Sequence, residues 1–337
     1  MGRDPTTYRI TATLGPASRD EAVWRAMLEA GVDAFRLNTS HSTLGECEAW
    51  LGRLEDFFLQ SGLAPVPIVL DLQGSKWRLG QFPTRQLTIG ERVTLMLDAQ
   101  GTAEALPVPH ADFFQAAPNS SAELVLNDAK SRLKVLAWGS DFIQAQVIVG
   151  GEISSRKGIT FSQSNYRKEA LSFQDQAILQ QTQSNPRVRY AISYIKDALE
   201  LQHYRQAIGP QVFLAAKIER PEAVEDALKL AEDADELWLC RGDLGAELGL
   251  ARMATAAHRF TRQVGAIKTH LRQAGDVILA GQVLEHMTRH PAPTRAEVCQ
   301  LFDALEAGYG GFVLSDETAI GLNPVEACRV AGMFKSS

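Results

Sequence analysis

The chain has 337 residues, 45% hydrophobic and 22% charged, which is the balance of a globular protein able to bury a sizeable core. A net charge of −6 excludes a broad nucleic-acid footprint, which needs clustered lysine and arginine, and leaves room only for a local basic cleft. No run approaches the roughly 18 apolar residues of a membrane span, and no secretory h-region opens the chain; the four scattered cysteines, Cys47, Cys240, Cys299 and Cys328, suit reduced thiols in a cytoplasmic protein without disulfides or a zinc site.

The opening MGRDPT fits the loose myristoylation pattern M-G-x-x-x-[ST], a match too short to carry an assignment. From there, short apolar runs rich in β-formers alternate with longer amphipathic ones. YRITATL (8–14) predicts a strand, and RDEAVWRAMLEAG a helix ended by Gly31. DAFRLN (33–38) and VPIVLDL (66–72) are the next strands, with the helix GECEAWLGRLEDFFLQSG between them. Five more strands come much later: VRYAISYI (188–195), QVFLAAKIE (211–219), ELWLC (236–240), DVILAG (276–281) and GGFVLS (310–315). Helical patterns over 197–208, 221–232, 251–274, 294–307 and 323–334 separate or follow them. Eight strand–helix units predict an α/β protein, its parallel sheet closed into a (β/α)8 TIM barrel.

The third unit is interrupted. RQLTIGERVTLML, AELVLNDAKSRLKVLAWG and DFIQAQVIVGG alternate apolar and polar residues and carry Gly or Asn-Asp turns, the pattern of antiparallel strands. Residues 78–158 are expected to form a small all-β domain inserted after the third strand, with 1–77 and 159–337 making the barrel. An insertion in a βα loop falls on the C-terminal face of a barrel, where it can act as a lid.

Active residues of a barrel sit at the C-terminal ends of its strands. Those ends carry Arg36, Asn38 and Ser40; Asp71, followed by Lys76 and Arg78; Ser193; Lys217 and Glu219; Arg241, Gly242 and Asp243; Gly281 and Gln282; and Ser315-Asp316-Glu317-Thr318. Each alone reads as a solvated charge or a helix cap. Together they suit a charged ligand. Glu219 and Asp243, on neighbouring strands, repel unless a cation or a proton joins them. Their hard oxygens suit Mg2+ or Mn2+, which complete their shells with water and substrate. Lys217 lies two residues before Glu219, hence on the same strand face, where an ammonium stabilises an enolate or a transferring phosphoryl group. In GDLGAE the glycines let the amides of Gly242 and Asp243 reach a phosphate or carboxylate at a helix start.

With those residues in place, the sequence resembles the pyruvate kinase family. TATLGPASRD and GVDAFRLNTSH are similar to its first two strand signatures, and VLDLQGSKWR to its Asp-Thr-Lys-Gly-Pro-Glu-Ile-Arg motif. GGEISSRKGI, AAKIERPEAV, LCRGDLGAELG, AGQVLEHMTRHPAPTRAE and LSDETAIGLNPVEA follow in family order, over nearly the whole chain. The resemblance implies a barrel with a small β lid and makes Glu219 and Asp243 the divalent-metal ligands. It makes Lys217 the lysine that neutralises phosphoryl and enolate, and puts Arg36 and Arg78 on phosphate. Asn38, Ser40, Asp71 and the Leu72 carbonyl fall at the monovalent-cation site, and Arg156 or Lys157 at the nucleotide phosphates. Three departures matter. A family threonine tied to enolate protonation is Gly281 here; the lysine of the third-strand motif is Gln73; and its glutamate is Lys76, whose ammonium is expected to replace K+. The chain stops at about the eighth helix, so the family's C-terminal regulatory domain is expected to be absent.

The first functional expectation is Mg2+-dependent phosphoryl transfer between phosphoenolpyruvate and ADP through a pyruvate enolate. The alternatives are a Mg2+-dependent lyase, aldolase or decarboxylase, acting on a pyruvate-type 2-oxo acid, or a non-catalytic homologue. The expected partners are these small molecules, with homo-oligomerisation left open and neither nucleic acid nor membrane involved.

Overall fold

The computed structural model of the chain describes residues 7–102, 104–120, 122–127, 130–162 and 171–335; the myristoylation pattern at 1–6 lies outside them. Three strands open the barrel, β1 (Arg9–Thr13), β2 (Ala34–Asn38) and β3 (Ile68–Leu72). Eight strands then fold outside it: β4 (Arg85–Leu87), β5 (Arg92–Met96), β6 (Ala105–Pro107), β7 (Glu123–Leu126), β8 (Ser131–Trp138), β9 (Phe142–Val149), β10 (Gly151–Ile153) and β11 (Ile159–Phe161). The barrel is completed by β12 (Val188–Ile192), β13 (Leu214–Ile218), β14 (Glu236–Cys240), β15 (Asp276–Ala280) and β16 (Gly311–Leu314). It closes in the order β1-β16-β15-β14-β13-β12-β3-β2. Every neighbouring pair is parallel.

Strand alternation sorts the side chains into two faces. Phe35, Leu70, Ile192, Ile218, Leu239 and Phe312 belong to the large core shared with the helices. Ala34, Val69, Ala191, Ala215, Cys240 and Val313 belong to a separate buried cluster, the inside of the barrel, whose one large member is Trp238. Two residues on from Ala34, Val69, Ala191 and Ala215, on the same inward face, stand Arg36, Asp71, Ser193 and Lys217. The apolar plug therefore gives way to charge at the C-terminal mouth. The opposite mouth is closed by ion pairs, Arg9 to Glu236 at 2.5 Å and Lys268 to Asp276 at 2.8 Å.

Helix starts follow their caps. Thr43 and Thr294 each accept from the N–H of the glutamate three residues on, and that glutamate returns the bond. Two helical patterns read as continuous are broken. The 221–232 pattern divides into Pro221–Glu225 and Ala227–Asp233 at Asp226, whose backbone leaves helical values (φ −94°, ψ 10°) and whose carboxylate accepts from the Ala198 N–H at 3.1 Å. The 251–274 pattern divides into Leu250–Thr261 and Val264–His270, and the second piece aims Lys268 at Asp276.

Between β3 and β12 the chain builds a six-stranded sheet, order β11-β7-β8-β9-β5-β6, and a two-stranded ribbon of β10 and β4. Its own core runs from Trp77 to Phe161, and the short helix Ala111–Ala116 adds Phe113 and Phe114 to it. Among the described residues no helix is long and apolar enough to cross a membrane.

Candidate active site

Asp71 is the centre of the barrel mouth. It is 1% exposed and is the last inward-facing residue of β3. Arg36 donates to its Oδ2 through Nε at 2.7 Å and steadies itself on Thr13 Oγ1 at 2.8 Å. Ser193 Oγ donates to Oδ1 at 3.0 Å, and Lys217 Nζ lies 3.1 Å from Oδ2. The same ammonium donates to Ser193 Oγ at 2.9 Å and sits 3.0 Å from Glu219 Oε1. Burial works to raise the Asp71 carboxyl, but Lys217 and Arg36 outweigh it and hold it at about 2. Burial likewise opposes the charge of Lys217, and Asp71 and Glu219 overcome it, keeping the amine protonated far above the usual lysine range. Arg36, Asp71, Ser193, Lys217 and Glu219 thus form one hydrogen-bonded group from β2, β3, β12 and β13.

A second pair lies beside it. Lys76 Nζ makes a very short contact with Asp243 Oδ1. Asp243 stands in the first turn of the helix Arg241–Leu248, where amide N–H groups have no intrahelical acceptor. Three carboxylates bear on Cys240: burial first, then the negative charge of Glu219 and Asp71 and finally Asp243, push its thiol well above the normal range, against Lys217. Among the described residues no three His, Cys, Asp or Glu side chains gather as a metal cage. Two carboxylates fit a cation that keeps water and takes substrate oxygens. Each already answers to a positive charge, Glu219 to Lys217 and Asp243 to Lys76.

The loop after β15 explains one departure seen in the sequence. Gly281 has φ +72°, and a Cβ there would lie 3.1 Å from the Gly242 nitrogen and 3.2 Å from the Arg241 nitrogen. A side chain at 281 would both strain the backbone and crowd the helix start. Arg241 braces this loop, donating to the Gly281 carbonyl at 3.1 Å and to the Gln282 carbonyl at 2.6 Å. Gly281→Thr is expected to lower stability by about 1–2 kcal/mol. A lower urea midpoint with no gain of activity is the result to look for; a threonine accepted at no cost would refute it.

The remaining sequence candidates divide. Asn38 caps the turn after β2, its Oδ1 accepting from the Ser40 N–H at 3.2 Å. The Leu72 carbonyl accepts from the Ser193 N–H at 3.2 Å. Gln73 and Gly74 present their N–H groups to Asp175 at 3.1 and 3.0 Å, and a Cβ on Gly74 would stand 2.0 Å from the Ser193 carbonyl oxygen. Arg78 donates to the Arg156 carbonyl at 3.0 Å, so it is tied to the return from the insertion. Arg156 has φ +64° in that return, and the Lys157 carbonyl accepts from the Leu79 N–H at 2.9 Å. Glu317 is a brace between loops: it accepts from the N–H groups of Leu284 at 2.9 Å and Ser315 at 2.6 Å. Tyr194 and Glu247 went unnoticed in the sequence. The Tyr194 N–H donates to Glu219 Oε2 at 2.7 Å, and its phenol meets Glu247. The available signals were adjacency to Ser193 and the helical spacing of four from Asp243. A cavity of about 340 Å3 lies elsewhere, bounded by Arg241, Met253, Ala257, Leu279 and Tyr309.

A closed (β/α)8 barrel with an insertion after β3, two ammonium–carboxylate pairs and a helix start at its C-terminal mouth is the frame of a barrel enzyme. The description "Pyruvate kinase, barrel domain" matches residues 6–328. A pyruvate kinase of Agrobacterium vitis is 31% identical over 327 residues, 96% of this chain and 67% of that protein. Pyruvate kinases of Thermococcus litoralis and Mycobacterium tuberculosis (strain H37Rv) are 30% and 31% identical, over 96% and 95% of this chain. The chain belongs to the pyruvate kinase family, and it spans about two thirds of the length of these relatives.

Proposed function

We propose that this chain is a cytoplasmic, Mg2+-dependent phosphotransferase acting between phosphoenolpyruvate and ADP. The observation that carries the reading is the buried Asp71, which holds Arg36 and Lys217 together at the barrel mouth beside Glu219. Two cations fixed in advance neutralise charge developing on the phosphoryl and enolate oxygens without rearranging during the reaction. The enol phosphate's P–O bond breaks as a terminal ADP oxygen takes the phosphoryl group, and the pyruvate enolate left behind takes a proton at carbon. Glu219 and Asp243 would hold Mg2+ or Mn2+, which supplies Lewis-acid charge to the same oxygens. The amides of Gly242 and Asp243 are assigned to the substrate's anionic end, Arg78 to its phosphate, and Arg156 and Lys157 to the nucleotide. Asn38, Ser40, Asp71 and Leu72 are assigned to the monovalent-cation position, and Lys76, whose ammonium meets Asp243 at the same mouth, is assigned the charge that makes K+ dispensable.

One observation favours a second reading. Gly281 offers no hydroxyl to relay a proton, so the enolate can meet a carbon electrophile, as in a metal-dependent 2-oxo-acid aldolase or decarboxylase. With Mg2+, the purified protein is expected to form ATP and pyruvate at equal rates in Na+ and K+ buffers. Exchange of pyruvate methyl protons into deuterated water, without nucleotide, reports the enolate alone. Exchange without phosphoryl transfer moves the assignment to the lyase; absence of both sinks both readings.

A further inference from the structure

Tyr194 is an unusual residue for its place. It follows β12 at the barrel mouth, is 4% exposed, and has φ +66°. A tyrosine pays for that left-handed backbone and keeps it only where its surroundings over-determine it. Three anchors do so. Its carbonyl accepts from Ser75 Oγ at 2.9 Å, and its N–H donates to Glu219 Oε2 at 2.7 Å. Its phenol makes a very short hydrogen bond to Glu247 Oε1 and lies 3.2 Å from Thr160 Oγ1. Thr160 in turn donates to Glu247 Oε1 at 3.1 Å.

The three partners come from parts of the chain that meet nowhere else in this network. Thr160 is on β11, the last strand of the insertion; Tyr194 is on the barrel rim; Glu247 is one turn beyond Asp243 on the helix Arg241–Leu248. Lys76, Thr160, Tyr194 and Asp243 line one recess. Charge surrounds the phenol ring, with Lys76 Nζ 6.0 Å and Arg220 Cζ 5.2 Å from its centroid. Glu247 is itself 7% exposed; burial raises its carboxyl to about 7, with the Thr160 hydrogen bond and the charge of Lys76 pulling the other way. A buried carboxyl has to be hydrogen-bonded, and here both donors belong to groups that frame the site.

We propose that Glu247 is a positioning residue: by fixing the Tyr194 phenol against Thr160 it holds the left-handed backbone that presents the Tyr194 N–H to Glu219, and so joins the insertion's return strand to the metal-binding carboxylate. The inference rests on the reading of Glu219 and Asp243 as divalent-cation ligands. Glu247 touches neither substrate nor cation; its effect reaches Glu219 through one residue. Released from its phenol anchor, Tyr194 can return to φ below zero and take its N–H away from Glu219.

The test is Mn2+ binding to the whole chain, read by electron paramagnetic resonance without substrate or nucleotide, with folding followed by circular dichroism. Partners behind a metal ligand typically change affinity by 10–100-fold, so Glu247→Ala and Tyr194→Phe are each expected to raise the Mn2+ dissociation constant roughly tenfold. The double variant should bind no more weakly than either single one, because both act through the same phenol. Glu247→Gln keeps an acceptor oxygen at the same place and is expected to stay near the unaltered protein. Folded Tyr194→Phe and Glu247→Ala proteins that bind Mn2+ normally would overturn this inference alone. An unaltered protein that binds no Mn2+ would overturn the cation reading and this inference with it.

Discussion

Asp71→Ala is expected to be among the most damaging single substitutions in the chain. Asp71 accepts from Arg36, Ser193 and Lys217 inside the barrel, and all four residues are less than a tenth exposed. Removing it leaves two buried cations facing each other with one carboxylate, Glu219, to answer Lys217 alone. Breaking a buried pair from one side costs about 3–5 kcal/mol, more than the lost hydrogen bonds, because the stranded charge keeps its desolvation penalty. In a chain of this size that is a melting temperature lower by roughly 5 °C. The pH dependence gives a second check. The folded carboxyl is held at about 2, below its unfolded value, so its contribution is complete above the unfolded pKa and disappears as pH falls toward 2. The gap in urea stability between the unaltered protein and Asp71→Ala should therefore be wide at pH 7 and narrow toward pH 2. A gap that stays constant across that range would show that Asp71 contributes packing and not charge.

Why Asp71 could be found in the sequence while Tyr194 could not is a matter of distance along the chain. A strand's inward face repeats every second residue, so Ala215 to Lys217 to Glu219, or Val69 to Asp71, can be followed by counting. ELWLC coincides with β14 because an apolar run bounded by charge has few other places to go. The same counting gave the site its four strand ends. It could not give the pairing of Lys76 with Asp243, which lie 167 residues apart and meet only because the third-strand motif and the helix Arg241–Leu248 share the barrel mouth. Nor could it show that Gly281 has a left-handed backbone against two amides; the sequence shows a missing hydroxyl, and the structure adds a steric reason for glycine. Thr160, Tyr194 and Glu247 belong to three separate elements, each with an ordinary local role, and only closure of the barrel with its insertion gives them a common one. The helix breaks at Asp226 and at Gln263 leave the apolar periodicity of 221–232 and 251–274 unbroken, so the pattern alone could not show them.

Lys217→Met separates the chemistry from the cation, at a cost in stability of the same kind as Asp71→Ala, because the buried Glu219 and Asp71 each lose a partner. Methionine nearly matches the length of the lysine stem, so the hydrophobic lining beside Ala215 and Cys240 should be kept. What disappears is one ammonium that faces Asp71, Ser193 and Glu219 together. A single preorganised donor typically contributes a factor of 100–1,000 to kcat, and a buried full charge beside the reacting oxygens belongs at the upper end, so kcat is expected to fall roughly 1,000-fold. Proton exchange of pyruvate should fall with it, since the enolate loses the same neutralising group. Mn2+ binding should go the other way. Without Lys217, Glu219 has lost the cation that competes for its Oε1, so the affinity should hold or rise, whereas Glu219→Gln should lose metal and turnover together. The two variants measured side by side, Mn2+ titration against exchange rate, distinguish a lysine that stabilises the reacting species from one that only fills space. A Lys217→Met protein that exchanges pyruvate protons at the normal rate would end its assignment as the residue that carries the charge of the enolate.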